Sequence, residues 1–439
     1  MDYRKMLDAQ LQNKTAVIED GQAVTYRELL ELSEEKKKRI LEEKESHTAV
    51  LLQQEGKDVI KKQLYFIKES TIIQELAAFL ACQGGNLVPV ILSDSLAEEE
   101  IQEFRKVTVP QNAVMGVLTS GTTGKCRILF RTYESWACYF PYQNEIFSMD
   151  KDTVLFTQGS LSFTGNMNLY MALFSVGGTV VSTKEFKPRR WLSFIEEHQV
   201  NYIYLIPAKM LALSRVVKEP CRKVKHFVTG SQSFGVREAA RVKKCFPEMS
   251  ILLYYGSSEA GYVTYLSDRE MTEDISLVGR PFPQVEVRIQ NGMFYVDTDY
   301  GMIGMERPFC MGDLGRIDEK GYFYFEGRRD DLLSVNGKKC SAYRIEQQIR
   351  EKLGIDEVMV SVCRNGDREY LAAYYERDLE EISTPQMKAV LRNSLSQQEI
   401  PKRFIRVEKL PRTDSGKLIR KQSILQNKTG YKLREIKMK

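Results

Sequence analysis

Apolar residues recur along this chain in two alternating rhythms. In "TAVIEDGQAVTYRELLELSEEKKKRILEE" (15–43) a short hairpin turning at Asp20–Gly21 precedes Leu29, Leu30, Leu32 and Ile40, which recur near helical spacing. "STIIQELAAFLACQGGNLVPVIL" (70–92) repeats the theme, with a helix ending at Gly84–Gly85 and then the strand "NLVPVIL". The pattern returns in "MALFSVGGTVVST", "WLSFIEEHQVNYIYLIPAKMLAL" and "VKHFVTGSQSFGVREAARVKKCFPEMSILLYYGSSEAG", where an amphipathic helix leads into a β-branched or aromatic strand. "LIPAKML" and "FVTGSQS" set Pro or Gly just after a strand, at the carboxyl edge where open α/β sheets bind ligands.

After about residue 280 the texture changes to short strands and turns, as in "VEVRIQNGMFYVDT" and "GDLGRIDEKGYFYFEGRRDDLLSVNG". From Ser341 on, "SAYRIEQQIREKLG", "VMVSVCRNG", "REYLAAYYER" and "PQMKAVLRNSLS" spell helix, strand, strand and helix. The expected fold is α/β. A large N-terminal domain (1–329) has mixed and parallel sheets flanked by helices plus a small β-rich unit, and a small α+β C-terminal domain (330–439) follows. The boundary falls in "GRRDDLLSVNG".

Composition narrows the function classes. At 439 residues the chain exceeds one ordinary core, and 43% apolar with 28% charged residues is that of a folded soluble protein. The net charge of +5 is concentrated in the tail "RKQSILQNKTGYKLREIKMK", too weak a signal for nucleic-acid binding. The eight cysteines (82, 126, 138, 221, 245, 310, 340 and 363) form no C-x-x-C pair, which argues against a disulfide or zinc framework. Histidines stand only at 47, 198 and 226, and His198 reads as a helix-end residue, so a Ser-His hydrolase is set aside. The N-terminus lacks a signal-peptide core and no run approaches a membrane span; a cytoplasmic protein is expected.

The candidate chemistry begins at "LTSGTTGKCRILF" (118–130), a Gly-, Ser- and Thr-rich turn between two predicted strands. It fails the Walker pattern, because no Lys-Ser/Thr opens a helix after it. Its glycines nevertheless let N–H groups converge, and its hydroxyls suit phosphate oxygens; as structure alone it is a surface linker. "YYGSSEAG" (254–261) offers an aromatic face, a close-approach glycine, a hydroxyl and a carboxylate, enough to stack a base and hold magnesium near phosphates. "MGDLGRID" supplies Asp313 for ribose hydroxyls, "GYFYFEGRRDD" supplies Arg328 and Asp330, and "LPRTDSGKLIRK" carries Lys417 on a glycine-containing turn. Each alone is equally readable as a polar turn or a solvated side chain.

In order and spacing, "TSGTTGKCR", "YYGSSE", "GDLGR", "GRRDDLLSVNG" and "LPRTDSGKLIRK" resemble the core motifs of the adenylate-forming superfamily. That superfamily comprises acyl- and aryl-CoA synthetases, nonribosomal peptide adenylation domains and luciferases, and "TAVIEDGQAVTYREL" extends the resemblance over nearly the whole chain. The resemblance implies an ATP-dependent ligase that makes an acyl-adenylate, releases pyrophosphate and passes the acyl group to a phosphopantetheine thiol of CoA or a carrier protein. Carried over, Thr119, Ser120, Gly121, Thr122, Thr123 and Gly124 wrap the β- and γ-phosphates with Lys125 nearby. Tyr255 stacks on adenine beside Gly256, Ser258 touches the α-phosphate and Glu259 ligates Mg2+. Asp313 and Arg328 serve the ribose, and Lys417 reaches both the carboxylate and the α-phosphate. The small C-terminal domain is then mobile, rotating about Asp330 and admitting the thiol past Gly337.

Departures from the family pattern bear on the substrate. Cys126, Arg127, Ala342 and Arg344 stand where Pro, Lys, Pro and Glu are customary. "LSFTGNMNLYMAL" matches the segment where amino-acid-activating members carry an Asp for the substrate ammonium, and Thr164 stands there. An ammonium buried without that carboxylate costs about 3–5 kcal/mol, so an aryl or other acid lacking an α-amino group is favoured. Ser162, Phe163, Thr164, Asn168, Gly230, Ser231 and Gln232 are candidate pocket residues. The alternatives are a stand-alone amino-acid-activating enzyme loading a carrier protein, and a non-catalytic nucleotide-binding homologue.

Overall fold

The computed structural model describes residues 3–10, 12–48, 61–120, 126–365, 368–376, 383–411 and 418. Two compact units emerge. The first comprises the chain up to Glu273 with Gly279–Val287 and Val296–Phe309; the second comprises Asp274–Val278, Arg288–Tyr295 and the chain from Cys310 on. The expected division at 329/330 concerns which part moves, on which compactness is silent.

The first unit opens with α1 (Tyr3–Asp8), the hairpin β1 (Thr15–Glu19) and β2 (Gln22–Thr25), and α2 (Tyr26–Thr48). Asp20 (φ 49) and Gly21 (φ 92) both take positive φ, the primed turn whose twist matches its strands. Next come β3 (Gln63–Ile67), α3 (Ile72–Ala81), β4 (Leu87–Ile91), α4 (Glu98–Phe104), β5 (Met115–Ser120) and β6 (Cys126–Arg131). These strands form a four-stranded sheet, with β6 antiparallel on β5 and the other pairs parallel. Helix α3 stops at Ala81, short of the expected Gly84–Gly85, and Gly84 (φ 76) makes its left-handed turn in the link to β4.

The larger sheet carries the helix–strand repeats. It is built from α5 (Glu134–Ala137), α6 (Phe140–Phe147), β7 (Val154–Gln158), α7 (Thr164–Phe174), β8 (Thr179–Thr183), α8 (Pro188–Glu197), β9 (Tyr202–Tyr204), α9 (Pro207–Ser214), β10 (His226–Thr229), α10 (Val236–Cys245), β11 (Ser250–Ser257) and β12 (Gly261–Ser267). Within this unit the order is β12-β11-β10-β9-β7-β8-β1-β2, parallel from β11 to β1 and antiparallel at both ends. All five residues of β8 are buried, as a parallel strand covered on both faces requires. From β7 the chain crosses to β8 on one side; from β9 it crosses to β10 on the other. The sheet therefore reverses its winding between β7 and β9.

β13 (Leu277–Pro281), β14 (Val285–Gln290) and β15 (Met293–Thr298) follow. The second unit contains β16 (Phe309–Ile317), β17 (Phe323–Arg328), β18 (Leu332–Val335), β19 (Lys338–Ser341), α11 (Ala342–Leu353), β20 (Val358–Asn365), β21 (Arg368–Tyr375), α12 (Thr384–Leu391) and β22 (Arg403–Arg406). Ser341 caps α11 by accepting the Arg344 amide, and Gly354 closes it in the left-handed conformation. Ile345, Ile349 and Leu391 pack on Val358, Val360, Leu371 and Ala373 of the sheet below.

Helix α8 shows how the first unit is held. It buries Trp191, Phe194 and Ile195, with the Trp191 ring 6.2 Å from Phe156 of β7 and its Nε1 donating to the Glu185 carbonyl at 2.9 Å. Truncating a fully buried Trp leaves a cavity and strands a carbonyl. Trp191→Ala is expected to lower unfolding stability by about 3–5 kcal/mol, measured as the shift of a urea transition.

Candidate active site

Several candidate residues of the first unit lie at the carboxyl ends of strands in its two sheets. Thr119 and Ser120 end β5 opposite Arg127 and Cys126, so the Gly/Ser/Thr loop is the tip of a β5–β6 hairpin, as its flanking strands predicted. Gly121, Thr122, Thr123, Gly124 and Lys125 lie outside the described residues, as does the Ser120 side chain. Burial pushes the Cys126 thiol up to about 11, so at neutral pH it is a protonated packing group rather than a nucleophile.

Strand β11 runs past the expected "ILLYY" to Ser257, with a bulge between Tyr255 and Gly256, before the turn into β12. A Cβ on Gly256 would collide with the Gly261 carbonyl, so the glycine is what lets this turn close. Ser258 and Glu259 sit at its tip, and the Glu259 carbonyl accepts the Met302 amide at 2.8 Å.

Arg131, at the end of β6, holds the same turn. Its guanidinium, on a residue only 2% exposed, donates through Nη2 to the Ser258 carbonyl (2.5 Å) and the Glu259 carbonyl (3.4 Å). Nη1 donates to the carbonyls of Tyr300 (2.5 Å) and Ser135 (3.4 Å). Burial lowers its pKa, while Tyr139, Tyr3 and Glu259 oppose the shift. Sequence reasoning missed Arg131, because an arginine closing the apolar run "RILFR" carries no sign of burial.

Ser162 leads to Phe163 at the N-cap of α7 and Thr164 at its first residue. This loop is pinned by Glu75 of α3, also missed in the sequence: one carboxylate oxygen accepts Ser160 Oγ (2.9 Å) and pairs with Lys184 Nζ (2.6 Å), and the other accepts the Leu161 amide (2.9 Å). A Cβ on Gly165 would strike the Tyr204 hydroxyl, which itself bonds Tyr254 at 2.7 Å. Gly230 is required likewise, since a Cβ there would lie 2.6 Å from Tyr254 Cζ. Ser231 (φ 66) bonds the Tyr254 hydroxyl, whose pKa burial pushes up to about 12. Asn168 lies deeper in α7, where its Oδ1 accepts Trp136 Nε1 and the Tyr139 hydroxyl; that oxygen is committed to the core.

In the second unit, Asp313 and Arg328 are cross-strand partners of β16 and β17, with Nε 3.2 Å from Oδ1. Asp313, 2% exposed, lies within β16. Asp330 sits in the 3-10 turn Arg329–Asp331; its side chain is outside the described residues. Gly337 (φ 80) follows Asn336 (φ 50) in the β18–β19 turn, and a Cβ on it would meet nothing within 4 Å, so backbone conformation rather than space demands glycine. Lys417 lies outside the described residues.

Comparison with known proteins agrees with this arrangement. The family described as AMP-binding enzyme matches residues 105–301, a span that includes the hairpin loop and the Glu259 turn. The acyl-CoA ligase YhfT of Bacillus subtilis is 24% identical over 381 residues, covering 82% of this chain and 78% of that protein. The O-succinylbenzoate coenzyme A synthetase MenE of Bacillus subtilis, solved with ATP and a magnesium ion, superposes with a TM-score of 0.78 at 18% identity, covering 96% of this chain and 99% of that one. ATP-bound MatB of Rhodopseudomonas palustris gives 0.79 at 18% identity, covering 95% and 97%. Residues 105–301 thus match the AMP-binding enzyme family, and the chain shares the fold of these ATP-bound synthetases.

The fold family implies magnesium, and the Glu259 carboxylate would suit such an ion. Among the described residues its carboxylate accepts no hydrogen bond, while its main chain is fixed by Arg131 and Met302. Among those residues no cluster of three or more His, Cys, Asp or Glu side chains gathers. Mg2+ takes one or two carboxylates together with substrate phosphates and waters rather than an all-protein cage. A single positioned carboxylate is compatible with that demand. No helix among the described residues is long and apolar enough to cross a membrane.

Arg131 is therefore a positioning residue. Arg131→Met is expected to raise the magnesium concentration needed for half-maximal ATP–pyrophosphate exchange by about 10–100-fold, the scale for losing a group that orients a metal ligand. A magnesium titration checks it; the KM for the organic acid should stay within a factor of about two of wild type.

Proposed function

We propose that this protein is an AMP-forming acid–thiol ligase. A carboxylate oxygen of the acid attacks the α-phosphorus of ATP, the bond to pyrophosphate breaks, and the resulting acyl-adenylate yields its acyl group to a phosphopantetheine thiol with loss of AMP. The observation that supports this reading is the Glu259 turn braced by Arg131 and the 160–164 loop pinned by Glu75, in a chain whose residues 105–301 match the AMP-binding enzyme family. Names of relatives such as acyl-CoA ligase and coenzyme A synthetase favour CoA as acceptor over a carrier protein.

The barrier is electrostatic, because a carboxylate and a polyphosphate must meet. Loop N–H groups and hydroxyls from Thr119 to Gly124 hold the β- and γ-phosphates, Ser258 the α-phosphate, and Tyr255 the adenine face. Bound magnesium, held by Glu259, would neutralise charge on the phosphates. Asp313 accepts ribose hydroxyls with Arg328 beside it. Lys417 bridges carboxylate and α-phosphate, then leaves as the domain from 330 onward rotates at Asp330 and the thiol passes Gly337.

Two measurements test this. Lys417→Ala should lower acid-dependent pyrophosphate exchange by about 100-fold or more. Asp330→Pro should spare that exchange and impair thioester formation, read by assaying the two half-reactions separately. Exchange with no acid of any class would favour the non-catalytic nucleotide-binding alternative.

A further inference from the structure

We propose that the acid activated here is a dicarboxylic acid and that Lys209 receives its second, non-reacting carboxylate. The inference rests on the ligase reading and names the substrate class of the same site.

Lys209 stands in the first turn of α9, directly after β9. Its Nζ donates to the Gln158 carbonyl at 3.2 Å, at the end of β7, and a Cβ on Gly159 would sit 3.6 Å from it. The ammonium thus spans the carboxyl ends of the two strands between which the sheet reverses its winding, the place where open α/β sheets take ligands. It adjoins the segment Gly159–Thr164 that leads into α7.

Among the described residues that carbonyl is the ammonium's one hydrogen-bond partner. The other cation of this region, Lys184, is already satisfied by Glu75 at 2.6 Å. Burial alone pushes Lys209 down to about 8, with no carboxylate opposing the shift. A cation in a first helical turn also opposes the helix dipole. A methionine would fit the helix without either cost, so the structure lacks an anion that the ammonium would pair with. A neighbouring substrate is the source of that anion. The same ammonium repels a substrate α-ammonium, in accord with Thr164 standing where amino-acid-activating relatives carry Asp.

The test is ATP–pyrophosphate exchange by the full chain with aliphatic and aromatic dicarboxylic acids, each paired with its monoamide. The best diacid is expected to exceed its monoamide in kcat/KM by about 100-fold, and Lys209→Met to reduce that ratio below about 5-fold by loss on the diacid alone. The diacid should also raise the melting temperature of the wild type but not of Lys209→Met. Equal use of diacid and monoamide, or equal losses on both in Lys209→Met, overturns the proposal. Exchange absent with every acid, alongside a Lys209-dependent diacid shift in melting, sinks the ligase reading and keeps the anion subsite. Exchange confined to acids without a second charge, with no such shift, does the reverse. Should Lys209→Met fail to fold, the wild-type ratio alone decides.

Discussion

The parallel pairing of β7 and β9, with their onward connections diverging, is the constraint on which the first unit's chemistry depends. Parallel neighbours need long crossovers, and each crossover here is a helix covering one face. Because β7 proceeds to β8 and β9 to β10 on the opposite side, neither connection passes over the gap at their carboxyl ends. The backbone there turns away on both sides. The Gly159–Thr164 segment, the first turn of α9 and the Gly230–Ser231 turn are consequently brought to one edge by topology.

An open edge positions nothing by itself; its loops are fixed by charges buried behind them. Glu75 spends one carboxylate on Ser160, Leu161 and Lys184, tying the loop before α7 to the buried helix α3. Arg131 ties the Glu259 turn to the end of β6 through carbonyl oxygens alone. A buried charge is tolerable when it is hydrogen-bonded, and Arg131 commits both terminal nitrogens to carbonyls, although its Nε has no partner among the described residues. The arrangement therefore works in both directions: the charge needs the loop as much as the loop needs the charge. Turns held in this way need little reorganisation when a polyanion arrives.

Local features were legible in the sequence, and tertiary ones were not. The Asp20–Gly21 turn, the helix–strand repeats and the hairpin position of the Gly/Ser/Thr loop follow from periodicity and turn chemistry, which neighbouring residues determine. Glu75 and Arg131 escaped because burial of a charge depends on elements distant in sequence: Arg131 reaches Tyr300, 169 positions away. Asn168 shows the opposite error of scale. Helix α7 is buried from Asn166 to Phe174, so no polar face marks which amide points to a pocket, and this one turns to Trp136 and Tyr139. Bulges carry β11 and β16 through glycine without ending them, which turn chemistry in the sequence does not reveal.

Lys184 and Lys209 occupy the same sheet edge and meet opposite electrostatic circumstances. Lys184 has Glu75, and the pair together presents little net charge to a ligand. Among the described residues Lys209 bonds one carbonyl and no carboxylate, which leaves its charge uncompensated by them. That charge and the absence of a carboxylate at Thr164 arise from separate elements, one after β9 and one at the start of α7. In the proposed reading both act in the same direction, against a cationic group on the substrate. Under that reading electrostatics selects before shape does, since placing a second cation beside a partly buried ammonium costs more than a missing methylene contact.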